Sequence, residues 1–470
     1  MTIEPIGFVT IIFGLMGFFL PANFIVFVFF VSTLLGASAA LVLDALGGAS
    51  VPPSHLLLGF MAVILLSRPD IRNDAMRGMQ FPRPGFWLLL LVGYSLITAY
   101  FFPRMFAGTT HVFAVRDIGS SNFVPLGPTT SNLTQSIYIV GGLACFLMLA
   151  GFARTPAGKR VVANAALACA ALNLAFAVLD LVTYFTNTTE LMSFVRNANY
   201  RMLSDAEAGG LKRIVGAFPE ASSFGFMTLG YFAFTLRLWF LGVQSRTALL
   251  LTVLSFTALM FSTSTTAYVG LSILLGLTLL ECGIRMLAGN ATRQMLSFLM
   301  LSPVMALIVV FVALLNPDVA DRVSEMADSM VLSKLSTESG VTRSAMNSQA
   351  IQNFFDTYGF GVGNGSLRAS SFLVAVISMI GIVGAILYAT FLASLFLARD
   401  DRYQDREGSA AQRGAKACCL AWLIAISSSG AFIDLGIHYF AFAALACAAS
   451  TRPYGATIAP HVKFSRAEHA

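Results

Sequence analysis

Long apolar runs, parted by short polar breaks, fill most of this chain. They predict helices near 6–20, 23–43, 54–67, 85–102, 137–153, 161–185, 222–241, 247–263, 266–284, 295–315, 370–397, 417–432 and 434–450. Pro21 and the Ser427-Ser-Ser-Gly430 break are what divide the first pair and the last pair. About 20 apolar residues carry a helix across the hydrocarbon of a bilayer, and short alternating strands of the kind a barrel needs are absent. The pattern therefore predicts an all-α polytopic membrane protein with about 12–13 transmembrane helices. Residues 1–470 are read as a single transmembrane domain, with no internal repeat. The first run, Ile6–Leu20, has no basic lead and continues into the next, so it reads as a membrane helix rather than a cleaved signal.

The longest hydrophilic stretch, 316–369, hangs between two of these runs and is too long to be a simple connection. Inside it Met346, Ala350, Ile351, Phe354 and Phe355 recur at helical spacing with Asn and Gln between them. That spacing predicts an amphipathic helix on the membrane surface or over a cavity, with Thr342 as its cap and Arg343 in its first turn.

Charge adds orientation. Of the 29 Lys and Arg, 19 fall in the segments 68–84, 154–160, 237–246, 285–294, 399–416 and 451–470, which total 82 residues. Only 10 fall in the 124 residues of 103–136, 186–221 and 316–369. The first set is read as cytoplasmic and the three long loops as periplasmic. The net charge of +6 is thus a record of topology and not a nucleic-acid footprint. The six cysteines sit in or beside apolar runs and read as small core residues.

Several residues carry candidate chemistry. Arg213, Arg343 and Arg368 stand near helix ends on the outer side; each reads either as a phosphate-binding fork or as an anchor to lipid headgroups. Glu220 follows Pro219 at the mouth of a helix, where a carboxylate serves either as a base or as a partner of the helix N-terminus. Gly359-Phe-Gly-Val-Gly-Asn-Gly365 reads as a tight turn back into the membrane or, more weakly, as a phosphate cradle. Ser262-Thr-Ser-Thr-Thr266 reads as a polar hairpin or as hydroxyls lining a cavity. Asp180 lies near the outer end of its span, and Asp434 and His438 are four apart on one predicted helix face. Ionisable groups at membrane depth are functional candidates, although an Asp–His pair that satisfies itself is an equal reading. No residue pattern calls for a metal or another cofactor.

Together these segments resemble the O-antigen polymerase / O-antigen ligase superfamily (Wzy-like). The resemblance runs from roughly Asp180 to Gly384. It rests on Arg213-Ile-Val-Gly-Ala-Phe-Pro-Glu-Ala-Ser222, the Ser262–Thr266 hairpin, and Arg343 followed by Gly359-Phe-Gly-Val-Gly363. The ligase branch carries His-[Asn/Ser/Gln]-x9-Gly-x-x-Gly at the end of its large loop. Here Ser371, nine residues and Gly381-Ile-Val-Gly384 keep that spacing, but Ser370 stands in the place of the His. The departure favours a polymerase over a ligase.

The resemblance implies a GT-C-like, metal-independent glycosyltransferase on the periplasmic side of the bacterial inner membrane. It implies an undecaprenyl-diphosphate-linked glycan donor and a glycan acceptor, with a chain-length regulator and a flippase as further partners. On this reading Glu220 is the base, and Arg343 and Arg213 stabilise the leaving diphosphate. Arg368, Arg196, Tyr200, Asp180, Ser370, Asp434 and His438 complete the substrate-binding candidates. The alternatives are a transporter or flippase for lipid-linked oligosaccharide, an O-antigen ligase, and a peptidoglycan polymerase of the shape-and-division type.

Overall fold

The computed structural model describes residues 2–43, 48–115, 123–199, 202–203, 207–208, 211–315, 338–398 and 406–448. Tyr200, the 316–337 part of the long loop and the tail 449–470 lie outside the described residues. The chain is a mostly helical, multi-pass membrane protein. Its fifteen α-helices among the described residues are α1 (Pro5–Phe19), α2 (Ala22–Ser32), α3 (Pro53–Leu66), α4 (Pro69–Gly78), α5 (Pro84–Met105), α6 (Thr130–Phe152), α7 (Pro156–Phe185), α8 (Ala221–Phe240), α9 (Ser245–Phe261), α10 (Thr265–Leu287), α11 (Arg293–Leu315), α12 (Glu338–Asp356), α13 (Phe372–Phe396), α14 (Arg406–Ser427) and α15 (Ile437–Cys447). The few strands form short two- and three-stranded sheets in the connections, such as Leu41–Leu43 between Thr2–Ile3 and Ala49–Val51.

Among the described residues five helices are long and apolar enough to cross a membrane: α5, α6, α7, α10 and α13. The α3–α4 pair, bent by 108°, makes a sixth if it is one span, and α1, α2, α9 and α15 are shorter apolar helices. The 12–13 expected spans are thus a count of apolar runs, which do not reveal where a helix stops. The run 23–43 shows this. Its helix ends at Ser32, and the next residues form a connector whose Ala37 N–H bonds the Ala217 carbonyl at 3.0 Å. Conversely, α6 begins seven residues earlier than its apolar run, because Thr129 and Asn132 form a capping box.

The core joins two packed regions. One is built largely from α2, α3, α6, α7, α13 and α15; the other lies between α8, α9, α10 and α14. Helix α8 lies at their junction. From Met227 through Leu236 it is buried without interruption, and three positions nearer its start are not.

The glycine-rich segment has a packing explanation. Gly359, Gly361, Gly363 and Gly365 all have positive φ, from +79° to +97°, so the chain there follows a path that side chains rarely adopt. It lies against a break in α13 at Gly381 (φ +63°). The Val362 and Gly363 amides bond the Ser378 and Met379 carbonyls at 2.9 and 2.8 Å, and the Ile382 amide bonds the Gly359 carbonyl at 3.0 Å. These bonds satisfy helix groups that the kink would otherwise orphan. The motif is the tight turn into the bundle: its Val362 and Gly363 amides are taken by α13 and its Gly359, Phe360 and Gly361 amides by Phe354 and Thr357, which leaves little of it to cradle a phosphate. Gly363→Ala is expected to destabilise the protein by about 1–3 kcal/mol through backbone strain alone. A Cβ there would also sit 2.6 Å from the Thr98 carbonyl oxygen and 2.7 Å from Pro103 Cδ. A heat-step assay on the detergent-solubilised protein checks this, and an unshifted melting curve would refute it.

The amphipathic helix exists as α12, but it starts at Glu338, so Thr342 is interior and Arg343 lies in the second turn. Its inner side is held by polar bonds as much as by apolar packing. Asn353 and Gln349 both donate to the His111 carbonyl at 2.9 Å, and Thr110 donates to Asp356 at 2.6 Å. Ala350 is buried, whereas Ile351, Phe355 and the following Tyr358 are exposed, the last at 86%. An exposed apolar edge of this kind suits a helix lying at a membrane surface.

Candidate functional site

The loop between α7 and α8 is organised around Asp180, in the last turns of α7. The carboxylate is 1% exposed, and four groups from that loop converge on it. Arg196 pairs with Oδ1 at 2.6 Å and Lys212 at 3.6 Å, while the Val215 and Gly216 amides donate to Oδ2 at 2.8 and 3.2 Å. Arg196 also donates to the Gly216 carbonyl through Nε at 2.9 Å. Both cations are buried, so Asp180 and Arg196 form a structural clasp. Asp180 and Arg196, read from the sequence as substrate-binding candidates, are here bonded to each other and to the 215–216 backbone.

The clasp positions Arg213. This residue comes directly after Lys212, whose ammonium bonds the Arg213 carbonyl at 2.9 Å. The Arg213 guanidinium is half-buried and its Nε is buried without a hydrogen-bond partner. Burial lowers its pKa from the usual arginine value, and the nearby Glu220 and Tyr268 oppose that shift. An orphaned guanidinium nitrogen inside a protein marks a place where a further acceptor fits.

Glu220 is the N-cap residue of α8, with extended φ/ψ, yet its side chain makes no capping bond. It accepts a hydrogen bond from the Ser222 hydroxyl instead. Beneath it, the Ser262–Thr266 segment is buried against α8, where a Cβ on Gly225 would meet Ala267 Cβ at 2.8 Å. Its hydroxyls are largely used locally: Ser262 and Thr263 bond the Leu259 and Ser262 carbonyls at 2.8 and 2.9 Å. Tyr268, one turn into α10, donates to the Met260 carbonyl at 2.5 Å. These bonds fit a polar hairpin between α9 and α10.

From Ala221 to Leu236 every residue of α8 is buried except Ser222, Ser223 and Phe226, which share one helix face. This accessible stripe descends from Glu220 by six residues, about 9 Å along the axis. At its foot the Phe226 ring meets the His438 ring edge-on at 5.4 Å, and His438 packs on Trp422 at 4.8 Å. His438 Nε2 and Asp434 Oδ1 are buried without hydrogen-bond partners. Asp434 does not share a helix face with His438, because α15 starts only at Ile437. It sits in the irregular 428–436 segment near Tyr138 and Tyr388, and no hydrogen bond or ion pair joins it to His438 among the described residues. The self-satisfied pair is therefore not formed.

The remaining candidates lie apart. Arg343 is exposed on α12 and Arg368 is half-buried, with the Arg368 amide bonding the Phe113 carbonyl at 3.0 Å. Ser370 donates its amide to Asn347 at 2.8 Å, four residues along α12 from Arg343. No hydrogen bond or ion pair links either arginine to Arg213 or Glu220 among the described residues. Sequence reasoning did not single out Ser223 or Phe226, and took Ser222 only as the end of the Arg213–Ser222 motif; their partial exposure, where α8 is otherwise buried from Ala221 to Leu236, marks them. Comparison with protein-family models, curated proteins and solved structures returns no match.

Proposed function

We propose that the protein is a glycosyltransferase that polymerises undecaprenyl-diphosphate-linked oligosaccharide repeats at the periplasmic face of the bacterial inner membrane. The observation that carries this reading is the proximity of Arg213, with its orphaned buried Nε, to Glu220 at the head of the accessible stripe on α8. A cation and a carboxylate close together at the head of α8 match the two demands of the reaction. An acceptor hydroxyl attacks the anomeric carbon, and Glu220 takes its proton. The bond from that carbon to the phosphate oxygen breaks, and the electron pair leaves with the diphosphate, which the Arg213 guanidinium stabilises. Arg343, on a helix with an exposed apolar edge, meets the donor's diphosphate at the bilayer surface, with Arg368 beside the same loop. The polymer is built in an exopolysaccharide or O-antigen pathway; an O-antigen ligase would use the same groups on a different acceptor.

The test is polymerisation of a purified lipid-linked repeat by the purified enzyme. Arg213→Ala is expected to lose about 10²–10³ in rate, the usual effect of removing one preorganised charge donor. Arg213→Lys recovers part of that, since an ammonium keeps the charge but not the fork. Arg343→Ala and Arg343→Lys follow the same order. Equal rates for wild type and all four variants would remove arginine stabilisation from the mechanism. A second reading, transport of lipid-linked oligosaccharide, draws on the orphaned Asp434 Oδ1 and His438 Nε2 inside the bundle. It predicts that deleting the gene strands lipid-linked repeats on the cytoplasmic leaflet, whereas loss of a polymerase leaves single repeats at the surface.

A further inference from the structure

At the other end of α8 stands a second charged group, about 26 Å along the helix axis from Glu220 by the rise of its 17 intervening steps. Arg237 grips Glu281 of α10 with both terminal nitrogens, at 2.8 and 2.5 Å. Arg285, one turn further along α10, donates to the same carboxylate through Nε at 2.8 Å. Two guanidiniums thus share one carboxylate, leaving the triad with a net charge of +1. The terminal nitrogens of Arg285 meet no acceptor among the described residues, and the side chain is 39% exposed. Beside the triad, a cavity of about 60 Å³ opens between α8, α10 and α14. Leu236, Phe240, Leu274, Leu277 and Leu420 make its apolar walls. Leu277 and Leu420 are also exposed on the outside of the bundle, so the cavity opens sideways, where lipid lies.

Arg237, Thr278 and Glu281 form the polar side of the slot, and Arg285, held on Glu281, adds the uncompensated positive charge beside it; this pairing is complementary to an amphiphile with an anionic head. A guanidinium with both terminal nitrogens free takes a phosphate as a fork, and the slot takes hydrocarbon. We propose that the Arg237–Glu281–Arg285 triad and this cavity bind an anionic glycerophospholipid, with its phosphate on Arg285 and part of an acyl chain between α8, α10 and α14. The site is separate from the donor site at Glu220 and does not depend on the reading given for it. Charge complementarity selects an anionic over a zwitterionic headgroup, and the apolar walls select a lipid over a free phosphate.

Native mass spectrometry of the delipidated protein, released from detergent after addition of phosphatidylglycerol, phosphatidylcholine or glycerol phosphate, tests the site. Phosphatidylglycerol is expected to be retained at one per chain, with phosphatidylcholine and glycerol phosphate lost. Arg285→Gln is expected to weaken retention of phosphatidylglycerol about tenfold, the effect of removing a charge-assisted hydrogen bond. Leu277→Trp, which fills the slot without touching the charges, is expected to weaken it as well. Both variants alter exposed positions, and an unchanged melting temperature without lipid separates lost binding from lost folding. Equal retention of the two phospholipids, or no change in Arg285→Gln, would overturn the proposal. Preferential retention of undecaprenyl phosphate over phosphatidylglycerol would overturn the assignment to a glycerophospholipid.

Discussion

Replacing Glu220 by glutamine is expected to abolish polymer formation while leaving the protein at its normal level in the membrane. The structure separates the two outcomes. Glu220 supplies no side-chain cap to α8 and is only half-buried. Among the described residues its one side-chain hydrogen bond comes from Ser222, and the carboxamide oxygen of a glutamine accepts the same bond. What glutamine lacks is the ability to take a proton from an acceptor hydroxyl, and a positioned base typically contributes about 10²–10⁴ in rate. The measurement is the rate of polymerisation in vitro beside the amount of protein in the membrane. Full-length polymer made at the wild-type rate by Glu220→Gln would reduce Glu220 to a helix-end residue and leave the proposed reaction without its base.

Asp180→Ala is expected to have the opposite signature, with loss of folded protein preceding any reading of activity. Removing this carboxylate leaves the Arg196 and Lys212 cations buried, at 6% and 2% exposure, with no counter-charge on α7. It also frees the Val215 and Gly216 amides. Breaking a buried ion pair by deleting one partner typically costs about 3–5 kcal/mol, a large part of the 5–15 kcal/mol by which a typical protein is stable. The double variant Asp180→Ala, Arg196→Met removes one stranded charge and is expected to regain part of the lost stability. Membrane protein level and melting temperature by fluorescence-detected size exclusion give the answer. An Asp180→Ala protein that melts like wild type but makes no polymer would show that Asp180 meets substrate and does not hold the loop.

The contrast between these two acids shows what was legible along the chain. Both stand at the outer end of a predicted span, and both invite a role in chemistry on the same grounds. The difference lies in partners far away in sequence: Asp180 bonds residues 196, 212, 215 and 216, whereas the Glu220 side chain, near Arg213, is hydrogen-bonded among the described residues only by its neighbour Ser222. A carboxylate's neighbours along the chain say little about whether a distant loop will cover it. The same holds for Asp434 and His438. Spacing by four puts two residues on one helix face only if the helix reaches both, and α15 begins after Asp434.

The sequence by itself determined that this chain lives in a membrane and is helical, because hydrocarbon leaves a backbone no other way to satisfy its own hydrogen bonds along such apolar runs. It also determined that an amphipathic helix precedes the glycine-rich turn, since helical periodicity is a local property that needs no tertiary partner. Only the tertiary structure decided where the runs break, which face of α12 turns inward, and that Gly359–Gly365 lies in the kink of α13. It alone decided which acid is clasped and which is left accessible beside an orphaned arginine. Those outcomes depend on backbone groups and charges from segments tens to hundreds of residues apart. Burial satisfies some of them and strands others, and no pattern of neighbouring residues records which.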